Sequence, residues 1–291
     1  MEGYNVFRGW MLDHTKLDVD HYITIQSLAS AFMLKSGCYD NVYQISGVLQ
    51  QYITKCVVGG RVMTANNKMY HVQKKIADFD ACSLYPSAMY FMDGFLQGLP
   101  QLLKDLSYDF LKKQDGYFIR IKIIRLNKHL DFPLTSKINE DGVRDFTNHM
   151  DNEIIYIDKV GLEDLIAFHE AEFEIIDGYY YNDGRNDTIN RVIEDLYNLR
   201  IKLKKDNPAQ MVIKLLMNSM YGKTIIKPIE TDTVVKDSQE DFEKYITFNY
   251  NYIDSGLEVN GRYYIKKVKS VMSHFNYVHC GVEILSMSKG L

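Results

Sequence analysis

The sequence predicts an α+β fold, and two observations carry that prediction. Runs that alternate apolar and charged residues, "GYFIRIKIIR" (116–125) above all, with the β-rich "IIYIDKV" (154–160) and "FEIIDGYYY" (173–181), read as a small antiparallel sheet. Later, "DTINRVIEDLYNLRIKLKK" and "MVIKLLMNSMYG" show helical spacing on either side of the breaker "DNPAQ". That pattern predicts a helical hairpin, capped at Asp187 or Thr188 and broken at Asn207–Pro208.

The other elements follow in chain order. Residues 18–54 place apolar side chains at three- and four-residue intervals around a break at Gly37, which predicts two short helices. "VVGGRV" makes a tight connection into "MYHVQKKIADFD", whose alternation predicts a strand. "GLEDLIAFHEA" predicts a helix packed on the sheet, and residues 227–270 read as polar and strand-like. The last predicted helix, "HFNYVHCGVEILSMSKGL", meets no cap and no breaker and is expected to be cut. There is no internal repeat or low-complexity run, and with five prolines no stretch marks a flexible linker.

Composition narrows the class. The 291 residues are 46% hydrophobic and 13% aromatic, a globular balance that excludes a disordered or fibrous chain. No apolar run reaches the roughly 18 residues needed to span a bilayer, and "MEGYNVFRGW" lacks the order of a signal peptide, so the expectation is an intracellular protein with no membrane partner. Cys38, Cys56, Cys82 and Cys280 are widely spaced and read as ordinary thiols of a reducing compartment. A formal charge of -4 argues against coating nucleic acid by bulk electrostatics. The charge is uneven, however: "LRIKLKK" (199–205) and "IKKVK" (265–269) are basic, while "NEDGVRD" (139–145) and "EDFEK" (240–244) are mostly acidic.

Two motifs carry chemistry. "DACSLYPS" (80–87) and "KLLMNSMYG" (214–222) resemble, in the right order, the palm signature D-x-x-S-L-Y-P-S and the fingers signature K-x-x-x-N-S-x-Y-G of family B DNA polymerases. "LDVDHYITIQSLA", "CVVGGRV", "GYYYNDGRN" and "VHCGVEILSMSKG" look like viral and linear-plasmid members, the branch that includes protein-primed enzymes. The resemblance implies a partial palm with a helical-hairpin fingers subdomain, the thumb and exonuclease core being absent. The expected divisions are 1–72 (helical tail of the exonuclease region and linker), 73–188 (first part of the palm with an inserted region), 189–226 (fingers) and 227–291 (palm continued).

Residue roles follow the motifs. The catalytic Asp of the family stands three residues before the Ser of S-L-Y-P-S, which selects Asp80 as catalytic residue and Mg²⁺ ligand. Asp78, two residues earlier, reads more simply as a solvated strand-end carboxylate. Backbone N–H groups of Ser83, Leu84 and Tyr85 can face a triphosphate as an anion nest. The resemblance puts Tyr85 under the incoming sugar, where it would clash with a 2′-hydroxyl. Lys214, Asn218 and Tyr221, spaced i, i+4, i+7, share one helix face. Lys214 is the expected phosphate clamp, Asn218 and Tyr221 would flank the nascent base pair, and Gly222 would let the backbone approach it. Arg200 and Lys204 at i, i+4 could reach the outer phosphates, with Lys202 and Lys205 off that face. Gly59 and Gly60 match the template-contacting Y-x-G-G segment, with Val57 where the family has Tyr.

The family's second carboxylate motif, Y-x-D-T-D-S, has no match. "ETDTV" (230–234) and "YIDSG" (252–256) echo it without the D-x-D pair. One carboxylate cannot anchor two Mg²⁺ ions, so the isolated chain is expected to be inactive until a complementary C-terminal polymerase segment joins it. The expected partners are primer–template DNA, deoxynucleoside triphosphates (dNTPs), that segment and a terminal priming protein. The rival readings are a noncatalytic DNA- or dNTP-binding remnant and a structural protein with vestigial motifs.

Overall fold

The computed structural model describes residues 2–81, 83–204, 207–227 and 229–290. In chain order the elements are α1 (Glu2–Thr15), α2 (Ile25–Lys35), α3 (Gly47–Thr54), α4 (Leu84–Phe91), β1 (Phe95–Leu96), β2 (Gln101–Leu102), α5 (Tyr108–Leu111), β3 (Gly116–Leu126), β4 (Ser136–Ile138), β5 (Arg144–Phe146), β6 (Ile154–Asp158), α6 (Lys159–His169), β7 (Ala171–Tyr181), β8 (Arg185–Asn186), α7 (Thr188–Lys202), α8 (Pro208–Thr224), β9 (Thr231–Lys236), α9 (Gln239–Asn249), β10 (Ile253–Val259), β11 (Arg262–Val268) and α10 (Val278–Gly290). The class is α+β, as the sequence implies.

The main sheet has the order β2-β7-β3-β6, with every pairing antiparallel. Its central strand β3 is covered on both faces. Tyr117, Ile119, Ile121 and Ile123 pack with Leu162 and Leu165 of α6, while Phe118 packs with Ile53 of α3 and with Val278 and Val282 of α10. Burial on both sides accounts for a strand richer in isoleucine than a half-solvated one requires. Its half-buried Arg120 is answered by Asp177 across the β3–β7 pair.

A larger helical core lies beside the sheet. There α2, α4, α7, α8 and α10 contribute Leu28, Met33, Met89, Ile193, Ile213, Leu216, Met220 and Ile284, all buried. Helix α10 runs through the middle, and residues 278–286 are buried without interruption, so the apolar-all-round pattern of a central helix replaces a single stripe. Helix starts follow side-chain chemistry. Thr24 accepts from the Ser27 N–H at 3.2 Å, Ser238 from Asp241 at 3.2 Å and Asn207 from Ala209 at 2.9 Å, with Pro208 at the first position of α8. Asp187 stands before α7 but makes no side-chain cap bond.

The structure departs from the sequence reading in four places. Residues 68–81 form no strand and are exposed throughout, because no partner strand lies against them among the described residues. Asp78 and Asp80 therefore do not share a strand face. Helix α1, which the apolar spacing did not suggest, packs Trp10 and Met11 into the helical core. Residues 231–268 hold the expected strands, ordered β10-β11-β9, but also helix α9, whose acidic first turn suits its N-terminus. Finally, α7 ends at Lys202, and Leu203 is extended, so Lys204 lies beyond the helix and does not follow Arg200 by one turn on a common face.

Candidate functional site

The first motif builds a short helix with an exceptional entry. Ser83 is left-handed (φ 54°, ψ 50°) and passes directly into the right-handed first turn of α4. That alternation turns successive N–H groups to one side, the geometry of an anion nest, and the side chain of Ser83 makes no cap bond that would consume them. Pro86 sits in the first turn, where its missing N–H costs little. The opposite face of α4 is anchored by Ala88 and Met89, both fully buried. Leu84 and Tyr85 are half-buried at the head of the helix.

The second motif delivers a partner to that head. Tyr221 of α8 lies under Tyr85, with ring centroids 4.1 Å apart and planes 14° from parallel. Tyr221 is 8% exposed, and burial first, then Tyr85, holds its phenol above the usual range. Lys214 and Asn218 remain exposed on the same helix, while Ile213, Leu216 and Met220 are buried against the core; Tyr221, expected on the Lys214 face, is buried with the core instead. Gly222 is half-buried, and a Cβ there would stand 3.6 Å from Cγ of Gln26 in α2, ordinary contact. Arg200 is half-buried near the end of α7 and Lys204 is exposed. Lys205 and Cys82 lie outside the described residues.

Of the expected participants, Asp80, Gly59 and Gly60 are not gathered into this cluster. Asp80 and Asp78 are exposed in the irregular stretch before α4. Gly59 and Gly60 follow α3 in an exposed segment, and a Cβ at either would meet open space, which leaves their backbone accessible. Among the described residues no group of three or more His, Cys, Asp or Glu side chains could hold a metal ion. Asp80 offers one carboxylate, and the described residues do not by themselves fit a two-ion site. The aspartates of the two echoes serve elsewhere. Asp232 pairs with Lys269 at 2.8 Å and Asp254 with Lys266 at 3.2 Å, both in the β9–β11 sheet.

Two clefts lie away from the motifs. One, of about 610 Å³, is lined by Asp232, Tyr245, Tyr252 and Lys267. The other, of about 740 Å³, lies where Val57 and Val58 after α3, Lys227 after α8 and Lys289 in α10 face Asp158. Asp158 Oδ1 accepts from Ser286 at 2.7 Å, Oδ2 is buried without a partner, and burial pushes the carboxyl up to about 7. Cys38, Cys56 and Cys280 are buried free thiols. Among the described residues no helix is long and apolar enough to cross a membrane.

Comparison with known proteins gives this geometry its context. The chain is 28% identical over 244 residues to a probable DNA polymerase of Neurospora intermedia, an alignment covering 81% of this chain and 24% of that one. It is 31% identical over 165 residues to the DNA polymerase of Acidianus bottle-shaped virus, covering 52% and 23%. This chain thus spans about a quarter of the length of these relatives. Among solved structures, phi29 DNA polymerase complexed with primer–template DNA superposes with a TM-score of 0.61 at 16% identity, covering 92% of this chain and 43% of that one. The two motifs lie in and just before the head of α4 and along α8. The model of DNA polymerase type B, organellar and viral, matches residues 3–290, and the chain belongs to that family.

Proposed function

We propose that this chain is the palm-and-fingers part of a DNA-directed DNA polymerase, with α7 and α8 as fingers (189–226), acting on primer–template DNA and dNTPs. The observation that carries the reading is the Tyr85–Tyr221 stack, which brings two motifs far apart in sequence to one place. In the reaction the primer 3′-oxygen bonds to the α-phosphorus, the bond to the bridging oxygen of pyrophosphate breaks, and the hydroxyl proton is lost. The N–H groups at the head of α4 face the triphosphate, Lys214 and Arg200 neutralise charge on the leaving pyrophosphate, and Lys204 adds a mobile cation beyond α7. Tyr85 excludes a 2′-hydroxyl, Asn218 and Gly222 lie along the nascent pair, and Gly59 and Gly60 approach the template. Divalent ions, Mg²⁺ in the first instance, would supply charge neutralisation at the reacting phosphate. Asp80 would hold them only together with carboxylates from a complementary polymerase segment. Protein priming, as the family branch suggests, would add a terminal protein as partner.

The test begins with nucleotide. The chain should bind Mg²⁺–dNTP, and Lys214→Ala should weaken that binding at least tenfold; no measurable affinity, or an unchanged one in the variant, would sink the reading. With the complementary segment added, primer extension should appear, and Asp80→Ala should abolish it while leaving DNA affinity nearly unchanged. The lone carboxylate favours a second reading, a DNA- or dNTP-binding remnant. It is upheld if nucleotide binds but no complementary segment restores synthesis.

A further inference from the structure

Asn190 lies in the first turn of α7 and belongs to neither motif. Its side-chain Nδ2, with two hydrogens to share, lies within donating distance of the carbonyl oxygens of Met92 at 2.6 Å, Tyr90 at 2.7 Å and Met89 at 3.3 Å, the last two in the last turn of α4 and Met92 just beyond it. Three converging acceptors fix which end of the amide is nitrogen, because the flipped amide would set oxygen against oxygen. Asn190 Oδ1 is buried without a partner, so the amide accepts an orphaned acceptor in order to hold these contacts. Four residues earlier, Asn186 binds the carbonyls of Gly37 at 2.8 Å and Asp40 at 3.1 Å. The base of the α7–α8 hairpin is thus clamped by two asparagines, whereas half-buried Arg200 and exposed Lys204 lie at its far end and exposed Lys214 lies midway along α8.

We propose that Asn190 is a positioning residue that sets the angle of the α7–α8 hairpin on α4, so that the cations of the hairpin and the head of α4 address one nucleoside triphosphate. This rests on the polymerase reading above. Helix α4 has the triphosphate-facing N–H groups at one end and the Asn190 clamp at the other. Arg200 lies ten residues beyond Asn190, about 15 Å along the axis. A rotation of about 10° at the clamp displaces Arg200 by roughly 3 Å, as long as a hydrogen bond and enough to lose a phosphate contact. Burial of Ile189 and Ile193 against α4 holds the helices together but does not fix rotation as directional bonds do.

The experiment uses the 291-residue chain with Cys82→Ser and spin labels at Phe91→Cys of α4 and Met211→Cys of α8, both exposed positions. Leu165→Ala, under the main sheet, is the control for lost stability alone, and the probe is a fluorescent dNTP with Mg²⁺. The expected result is that Asn190→Ala broadens the label–label distance distribution and weakens dNTP binding tenfold. Asn190→Asp, which sets a carboxylate against three carbonyls, should do at least as much, and Leu165→Ala neither. A sharp distribution in Asn190→Ala, or equal broadening and weakening in Leu165→Ala, overturns the proposal. A wild-type chain that binds no nucleotide while Asn190→Ala still broadens the distance overturns the polymerase reading and leaves the clamp standing.

Discussion

At the scale of single residues, the buried polar groups of α10 are the most exacting feature. Glu283 has 4% of its side chain exposed and meets Arg185 at 2.7 Å, and Arg185 also donates to the carbonyls of Gly94 and Asp115, each at 2.7 Å. One guanidinium therefore ties β8 to α10 and to the turns at residues 94 and 115. Removing one partner of such a pair leaves a buried charge, so Glu283→Ala should cost about 3–5 kcal/mol in urea unfolding, and Glu283→Gln distinctly less. A loss under 1 kcal/mol would show the pair to be dispensable. His279, one turn earlier, is stacked on Tyr181 with both ring nitrogens unpartnered, and burial holds its pKa down at about 3. The unfolded chain takes up this proton near pH 6.5 and the folded chain only near 3, so stability is complete above 6.5 and falls as the pH drops. His279→Phe, which keeps the stacked ring, should remove this loss. Relative to wild type the variant should gain roughly 2 kcal/mol between pH 6.5 and 5, and an unchanged difference across that range would contradict it.

At the scale of elements, the hairpin breaker and the strands of the main sheet were legible, and most caps were not. Helix α6 runs from Asp158, whose carboxylate accepts from Gly161, to Glu170, held left-handed at φ 49° with its N–H on the Ile166 carbonyl. A non-glycine residue there is strained by about 1–2 kcal/mol, so Glu170→Gly should raise stability by about 0.5–1 kcal/mol, net of the roughly 0.4–1 kcal/mol of added freedom of the unfolded chain. Thermal unfolding checks it, and a lower midpoint would mean that the Glu170 side chain contributes something its exposure conceals. The α7–α8 hairpin was readable because Asn207–Pro208 is a local signal and the exposure of Lys214 and Asn218 opposite Ile213, Leu216 and Met220 follows from spacing, though the burial of Tyr221 does not. The 68–81 stretch misled because alternation specifies a strand only when a partner satisfies its backbone, and Met69, Ile76 and Phe79 stand 83%, 73% and 91% exposed. Within the candidate site, the proposed Lys214, Asn218 and Tyr221 were nameable from a contiguous motif, although Tyr221 is buried and not on the exposed Lys214 face. Asn190 was not, since its role depends on carbonyls about a hundred residues away.

At the scale of the whole molecule, stability is unevenly distributed. The helical core and the core under the main sheet are joined through Ile45, Ile53, Leu96, Phe118 and Val282, so these two bodies share buried surface and should unfold together. Residues 231–268 are different: Ile265 is the one buried side chain among them, α9 buries none, and β11 pairs only with β9 and β10. Isolated three-stranded sheets with so little apolar burial hold their hydrogen bonds weakly, because each bond competes with water and little packing adds to it. Amide hydrogen exchange should therefore find two classes. Amides of β3 and α10 should exchange only through global unfolding, at the free energy that urea reports. Those of β9, β10 and β11 should exchange through a local opening several kcal/mol cheaper and insensitive to Glu283→Ala. If the Glu283→Ala penalty instead appears in full at β10 and β11, this sheet is part of the same cooperative unit, and Ile265 with its few half-buried neighbours anchors it more firmly than its exposed area implies.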